Sequence, residues 1–187
     1  MKKRLVLLFS IICLLLSSCG DNKAQESFES FCEKLRGSEK LSFEASLRSE
    51  YDDKTVGFSV RYASDEEGCS ITVTEPELIS GISAHIEKGG SELRFDDMIL
   101  DTGKLTDFGL TPMSALPMLI DGVKNGYTDS VWEENGELAA HIEAADELSL
   151  QLRLDKYSLT PVSAELISDE QVKVFVSITN WNMKYEE

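Results

Sequence analysis

Basic charge is scarce in this chain. Only 18 Lys and Arg stand against 34 Asp and Glu in 187 residues, a formal charge of −16. That balance argues against a nucleic-acid partner and against a polybasic grip on anionic lipid. Cysteine is scarce as well. Four residues, none in a CxxC spacing, make neither a disulfide scaffold nor a zinc or redox motif. After residue 16 no apolar run approaches the roughly 20 residues that span a bilayer. GxSxG, HExxH and a phosphate-cradling glycine loop are missing, so no linear motif points to an enzyme, and the expectation is a non-catalytic protein without cofactor or metal. What remains is ordinary globular material, 42% hydrophobic and 28% charged, without repeats or low-complexity tracts.

The chain opens on an address. Met1–Lys2–Lys3–Arg4 is a positive start, and Leu5 to Leu16 is almost wholly apolar but too short to span. It reads as a signal peptide over residues 1–18. The segment closes on Leu16–Ser17–Ser18–Cys19–Gly20, which resembles the bacterial lipobox. That resemblance implies cleavage before Cys19 and attachment of a diacylglycerol to its thiol, usually with a third acyl chain such as palmitate on the new amino terminus. Each buried methylene contributes ~0.8 kcal/mol, so two or three chains hold a protein firmly where one does so only marginally. Loss of Lys2, Lys3 and Arg4 takes the mature chain to −19. The expected localisation is extracytoplasmic, anchored to the bacterial cell membrane, with residues 19–25 as a lipidated polar tether and 26–187 as one domain.

Within that domain, Phe28, Phe31, Cys32 and Leu35 follow the spacing of an amphipathic helix, closed at Gly37. The period then falls to two. Leu41–Leu47, Val56–Tyr62, Ile71–Val73, Ile82–Ile86, Leu138–Ile142, Leu148–Leu154 and Val172–Ile178 all alternate. Asp52–Asp53, Gly89–Gly90 and Asn135–Gly136 supply turns between them. About nine to eleven strands are expected. One segment departs from this: Leu116, Leu119, Ile120 and Val123 recur at helical spacing, with Ser114 as N-cap and Pro117 in the first turn. Helix, strands, helix, strands, without βαβ alternation, predicts an α+β protein dominated by strands. Its single curved antiparallel sheet forms an incomplete barrel, with an N-terminal helix near 26–36 and a lid-like helix near 114–124.

Two stretches resemble a known family. Leu148 to Trp181 runs from a leucine strand through Leu154–Asp155–Lys156 and Leu159–Thr160–Pro161–Val162 to a β-branched strand ending at Asn180–Trp181. This is similar to the C-terminal hairpins of the lipoprotein carrier and receptor superfamily (LolA/LolB-like). Thr74–Glu75–Pro76–Glu77–Leu78–Ile79–Ser80–Gly81–Ile82 is similar to the proline step of clostridial spore-germination lipoproteins of that fold, the GerS type. The resemblance implies a half-barrel around an apolar cavity with helices as a lid. The soluble carrier latches its lid with an Arg near the proline step. Glu75–Pro76 has no adjacent Arg, so that latch is not carried over.

The functional expectation is an apolar ligand, a lipid or acyl chain, held under the helix stripe Leu116, Leu119, Ile120 and Val123, whose nearby Gly122 and Gly126 would ease opening. The alternative is a non-catalytic scaffold for an envelope or spore-germination protein. A solid core favours the scaffold and a lined cavity favours the binder. Two further features remain open. The tetrapeptides Ala84–His85–Ile86–Glu87 and Ala140–His141–Ile142–Glu143 would make a two-His, two-Glu zinc site only if their strands were neighbours; otherwise His and Glu simply face water. Cys32 and Cys69 are either a disulfide or two buried thiols.

Overall fold

The computed structural model describes residues 21–51, 54–87, 89–103, 110–145 and 147–185. The signal segment, Cys19 and the Asp52–Asp53 turn lie outside the described residues.

The period-two segments form eleven strands: β1 Lys40–Tyr51, β2 Lys54–Ser64, β3 Gly68–Glu75, β4 Ser83–Glu87, β5 Gly90–Phe95, β6 Met98–Gly103, β7 Tyr127–Glu134, β8 Glu137–Ala145, β9 Leu148–Asp155, β10 Pro161–Ser168 and β11 Gln171–Lys184. They make one antiparallel sheet in the order β6-β5-β4-β3-β2-β1-β11-β10-β9-β8-β7. Strand makes up 62% of the described residues, and the sheet does not close into a barrel, as its pattern predicts. Alternation has its usual cause. Leu148, Leu150, Leu152 and Leu154 are buried on one face of β9, and Leu41, Phe43, Ala45 and Leu47 on the same face of β1. Asn135 and Gly136 both take positive φ, 53° and 85°, and turn β7 into β8.

Two helices lie on the inner face, α1 (Asp21–Arg36) and α2 (Pro112–Asn125). α1 packs on β7 and β8, α2 on β8 and β10, and the two helices on each other. Their C-terminal ends are tied where Arg36 Nε donates to the Lys124 carbonyl at 2.6 Å. Phe43 stacks between Tyr62 and Trp181, with ring centroids at 4.7 and 5.0 Å, and so joins the centre of the sheet into one aromatic stack.

Both helix starts differ from the sequence expectation. α1 is already helical at Asp21, the first described residue, so residues 21–25 of the stretch read as a polar tether belong to the helix. Ala24 extends the buried stripe one turn ahead of Phe28, and Gln25 Nε2 donates to Glu29 Oε1 at 2.8 Å. One small apolar residue among polar ones does not register as periodicity. In α2 the N-cap is Thr111, with Pro112 in the first helical position. Ser114 is the third helical residue of a capping box: its backbone N–H donates to Thr111 Oγ1 at 3.1 Å, and the Thr111 N–H donates to its Oγ at 2.8 Å. Pro117 therefore falls inside the helix.

Candidate functional site beneath the helices

Each residue of the α2 stripe reaches the inner face of the sheet and is buried there. Leu116, Leu119, Ile120 and Val123 are 0, 1, 7 and 4% exposed. α1 meets them with Phe31 and Leu35, and the sheet with Leu152, Ile178 and Trp181. The void left among these side chains is about 10 Å³. That is space for about one water, against roughly 300–1,000 Å³ in small-molecule pockets. The stripe thus faces packed protein in this structure.

The glycines flanking the stripe give closeness, which corrects the expectation that they ease opening. A Cβ on Gly122 would stand 2.5 Å from Leu150 Cδ1 and 2.8 Å from Ala144 Cβ. One on Gly126 would stand 2.8 Å from both the Glu143 carbonyl oxygen and Ile142 Cγ2. Neither residue has a positive φ. The missing side chains let α2 lie directly on β8 and β9.

Open recesses lie elsewhere. One of about 650 Å³ sits where β3 ends against the middle of β1 and β2, beside the proline step, where Glu75–Pro76 is a cis bond. Leu47 and Phe58 supply its apolar wall; Ser59, Thr74 and Glu75 supply the polar one, with Ser59 Oγ donating to Glu75 Oε2 at 2.7 Å. A second, of about 290 Å³, is lined by Lys40, Ser42, Asp65, Ser70, His85 and Lys184.

The histidines do not meet. β3, β2, β1, β11, β10 and β9 all lie between β4, which carries His85, and β8, which carries His141. Each instead pairs within its own strand, His85 with Glu87 at 3.2 Å and His141 with Glu143 at 3.3 Å. Among the described residues no cluster of His, Cys, Asp and Glu is arranged to hold a metal ion.

Cys32 and Cys69 are both free thiols. Burial pushes the Cys32 thiol up to about 11; Arg36 pulls it down and Glu29 adds to the rise. Burial also raises Cys69, opposed by the hydroxyl that Tyr62 donates to its sulfur, and it raises Tyr62.

The feature that sequence reasoning passed over is the exposed apolar run Met98–Ile99–Leu100 on β6. Its signal was a break in alternation, three apolar residues in succession where a strand with one wet face shows every second one.

No family model matches the chain, and no curated protein matches it. Solved structures do. A DUF1329 family protein from Desulfovibrio piger matches at a TM-score of 0.50 and 9% identity, over 86% of this chain and 93% of that one. The likeness is one of fold. An uncharacterized conserved protein from Thermus thermophilus matches at 0.50 and 9% identity, over 88% and 90% of the two chains. A LolA superfamily protein from Nitrosomonas europaea matches at 0.46 and 10% identity, over 85% and 93%. What these likenesses share with the architecture expected from residues 74–82 and 148–181 is the fold alone, one open antiparallel sheet with two helices.

Proposed function

We propose that the chain is a non-catalytic, lipid-anchored extracytoplasmic scaffold whose exposed surface docks an envelope or spore-germination protein. The observation that carries this reading is the filled interior. Helices α1 and α2 pack over β7, β8 and β10, and the void beneath the α2 stripe is about 10 Å³. The anchor follows from Leu16–Ser17–Ser18–Cys19, with acyl chains on Cys19 holding a strongly acidic chain at a surface that would otherwise repel it.

Native mass spectrometry of the full lipidated chain, extracted from its own membrane, tests the proposal. The expected spectrum shows the covalently lipidated chain with a bound protein and no further lipid. A stoichiometric non-covalent lipid would sink the scaffold reading and favour the second one. A companion substitution tests the anchor: Cys19→Ala should leave an uncleaved or mislocalised precursor, and wild-type processing of that variant would overturn it.

The second reading is apolar-ligand binding, and the recess of about 650 Å³ favours it, because Leu47 and Phe58 bring the inner face of the sheet to an open mouth there. That recess is lined by none of Leu116, Leu119, Ile120 and Val123, so its ligand would lie along β1–β3, apart from the α2 stripe.

A further inference from the structure

An open sheet has two edges, and among the described residues only one is guarded. On β7, Asp129, Glu133 and Glu134 are exposed, the register slips between Thr128 and Ser130, and α1 packs against the strand. These are the devices by which proteins blunt an edge. On β6, Met98, Ile99 and Leu100 are 66, 64 and 62% exposed, and β5 is its only substantial neighbour among the described residues. Every second residue of β6 turns its backbone N–H and C=O away from β5, as antiparallel pairing requires.

The inner face also stops short at β6. One row of side chains crosses the sheet through the register pairs Phe43–Tyr62, Tyr62–Ile71, Ile71–Ala84, Ala84–Leu93 and Leu93–Leu100. Ile71 and Ala84 are fully buried, Leu93 is half-buried, and Leu100 is exposed. Beside it Phe95 pairs with Met98 on the same face, 36 and 66% exposed. Another strand beyond β6 would extend this row and cover its last members.

Charge selects the occupant. Within Gly90–Gly103 the acids Glu92, Asp96, Asp97 and Asp101 outnumber one base, Arg94, which is held by Glu92 at 2.8 Å. A second copy would set these acids against their own kind, on a chain already at −16. An anionic membrane is disfavoured for the same reason. Resting on the scaffold reading, we propose that β6 is a docking strand: a partner protein adds an extended segment to its free edge, with alternating apolar residues over Met98 and Leu100 and basic residues at the acidic flanks.

The test uses the full lipidated chain in detergent and a labelled synthetic peptide of alternating valine and threonine capped by lysines. Saturable binding that weakens with salt is expected. It should fall by about tenfold or more in Ile99→Lys and Leu100→Thr, both exposed positions whose strand spectrum should match wild type. It should disappear when alternate peptide amides are N-methylated or the lysine caps become glutamate. No binding, or equal binding by the N-methylated peptide or by both variants, would overturn the proposal. So would a concentration-dependent dimer that Ile99→Lys abolishes, which assigns the edge to a second copy, or wild-type partition onto neutral vesicles that Ile99→Lys abolishes, which assigns it to lipid. A partner retained equally by wild type and Ile99→Lys in native mass spectrometry removes the docking strand and leaves the scaffold standing. Absence of any partner removes the scaffold, while the peptide still reports on the edge.

Discussion

Cys32 sits 3% exposed on α1, and its thiol is held protonated up to about pH 11. The thiolate is the reactive form, so Cys32 in the native chain should resist alkylation near neutral pH and react only on unfolding. Rapid labelling of Cys32 at neutral pH, followed by mass spectrometry, would contradict this burial. The same shift has a stability consequence. A thiol raised from 9.0 to about 11 favours the folded state fully below pH 9, and that contribution is lost as pH rises through 11. Denaturant midpoints of wild type and Cys32→Ala should therefore converge with rising pH only above 9. At the acid end, Asp155 accepts from the Tyr157 and Ser158 N–H groups and from Ser158 Oγ, which holds its carboxyl below the usual range. This turn is present above the ordinary carboxylate pKa and weakens as pH falls through the lowered one. None of these local settings was legible from residue type. The cysteines could be found in the sequence, but whether they paired depended on where α1 packs, and it packs on β7 and β8, far along the sheet from Cys69 on β3.

At the scale of elements, α2 is where periodicity spoke most clearly and was still incomplete. The stripe from Leu116 to Val123 specified a helix and its buried side, because four apolar residues on one face leave no other arrangement that hides them. It did not specify what they would touch. Leu119→Ala should cost ~2–5 kcal/mol if the stripe is core, as the packing indicates. Thermal or denaturant melting checks this, and a loss well below that range would return α2 to the role of a lid. Gly122 gives the opposite kind of test. On helix propensity alone Gly122→Ala gains about 1 kcal/mol, whereas forcing a methyl against Leu150 and Ala144 should cost ~1–3 kcal/mol. A destabilised variant is expected, and a stabilised one would show that α2 stands farther from the sheet. The β9 alternation and the Asn135–Gly136 turn were equally plain, since each needs only neighbours in sequence. The early start of α1 was not, because Ala24 among polar residues looks like a tether until β7 and β8 are set beside it.

At the scale of the whole molecule, the count of strands and the open antiparallel sheet followed from pattern, but the strand order did not. Pairing each strand with the next works from β1 to β6 and again from β7 to β11. Between them the chain passes from one edge of the sheet to the other, with α2 on β8 and β10, and the sheet is joined in its middle by β1 and β11, with residue 40 opposite residue 184. Nothing in the composition of either strand marks that pairing. It has a consequence in time. During synthesis β11 leaves the ribosome after every other strand of this sheet, so the pairing that unites β1–β6 with β7–β10 can form only after all the others have been made. Without β11 the β1 and β10 edges lack their partner, and pairing residue 40 with residue 184 closes a long loop, a slow kind of step. A chain stopped before Gln171 should therefore be recovered aggregated or degraded, where loss of a terminal appendage would be tolerated. If limited proteolysis found it compact and resistant, the two halves would be independent folding units. Until the last strand arrives, the strands on either side of it have no partner in common, and the sheet has no centre.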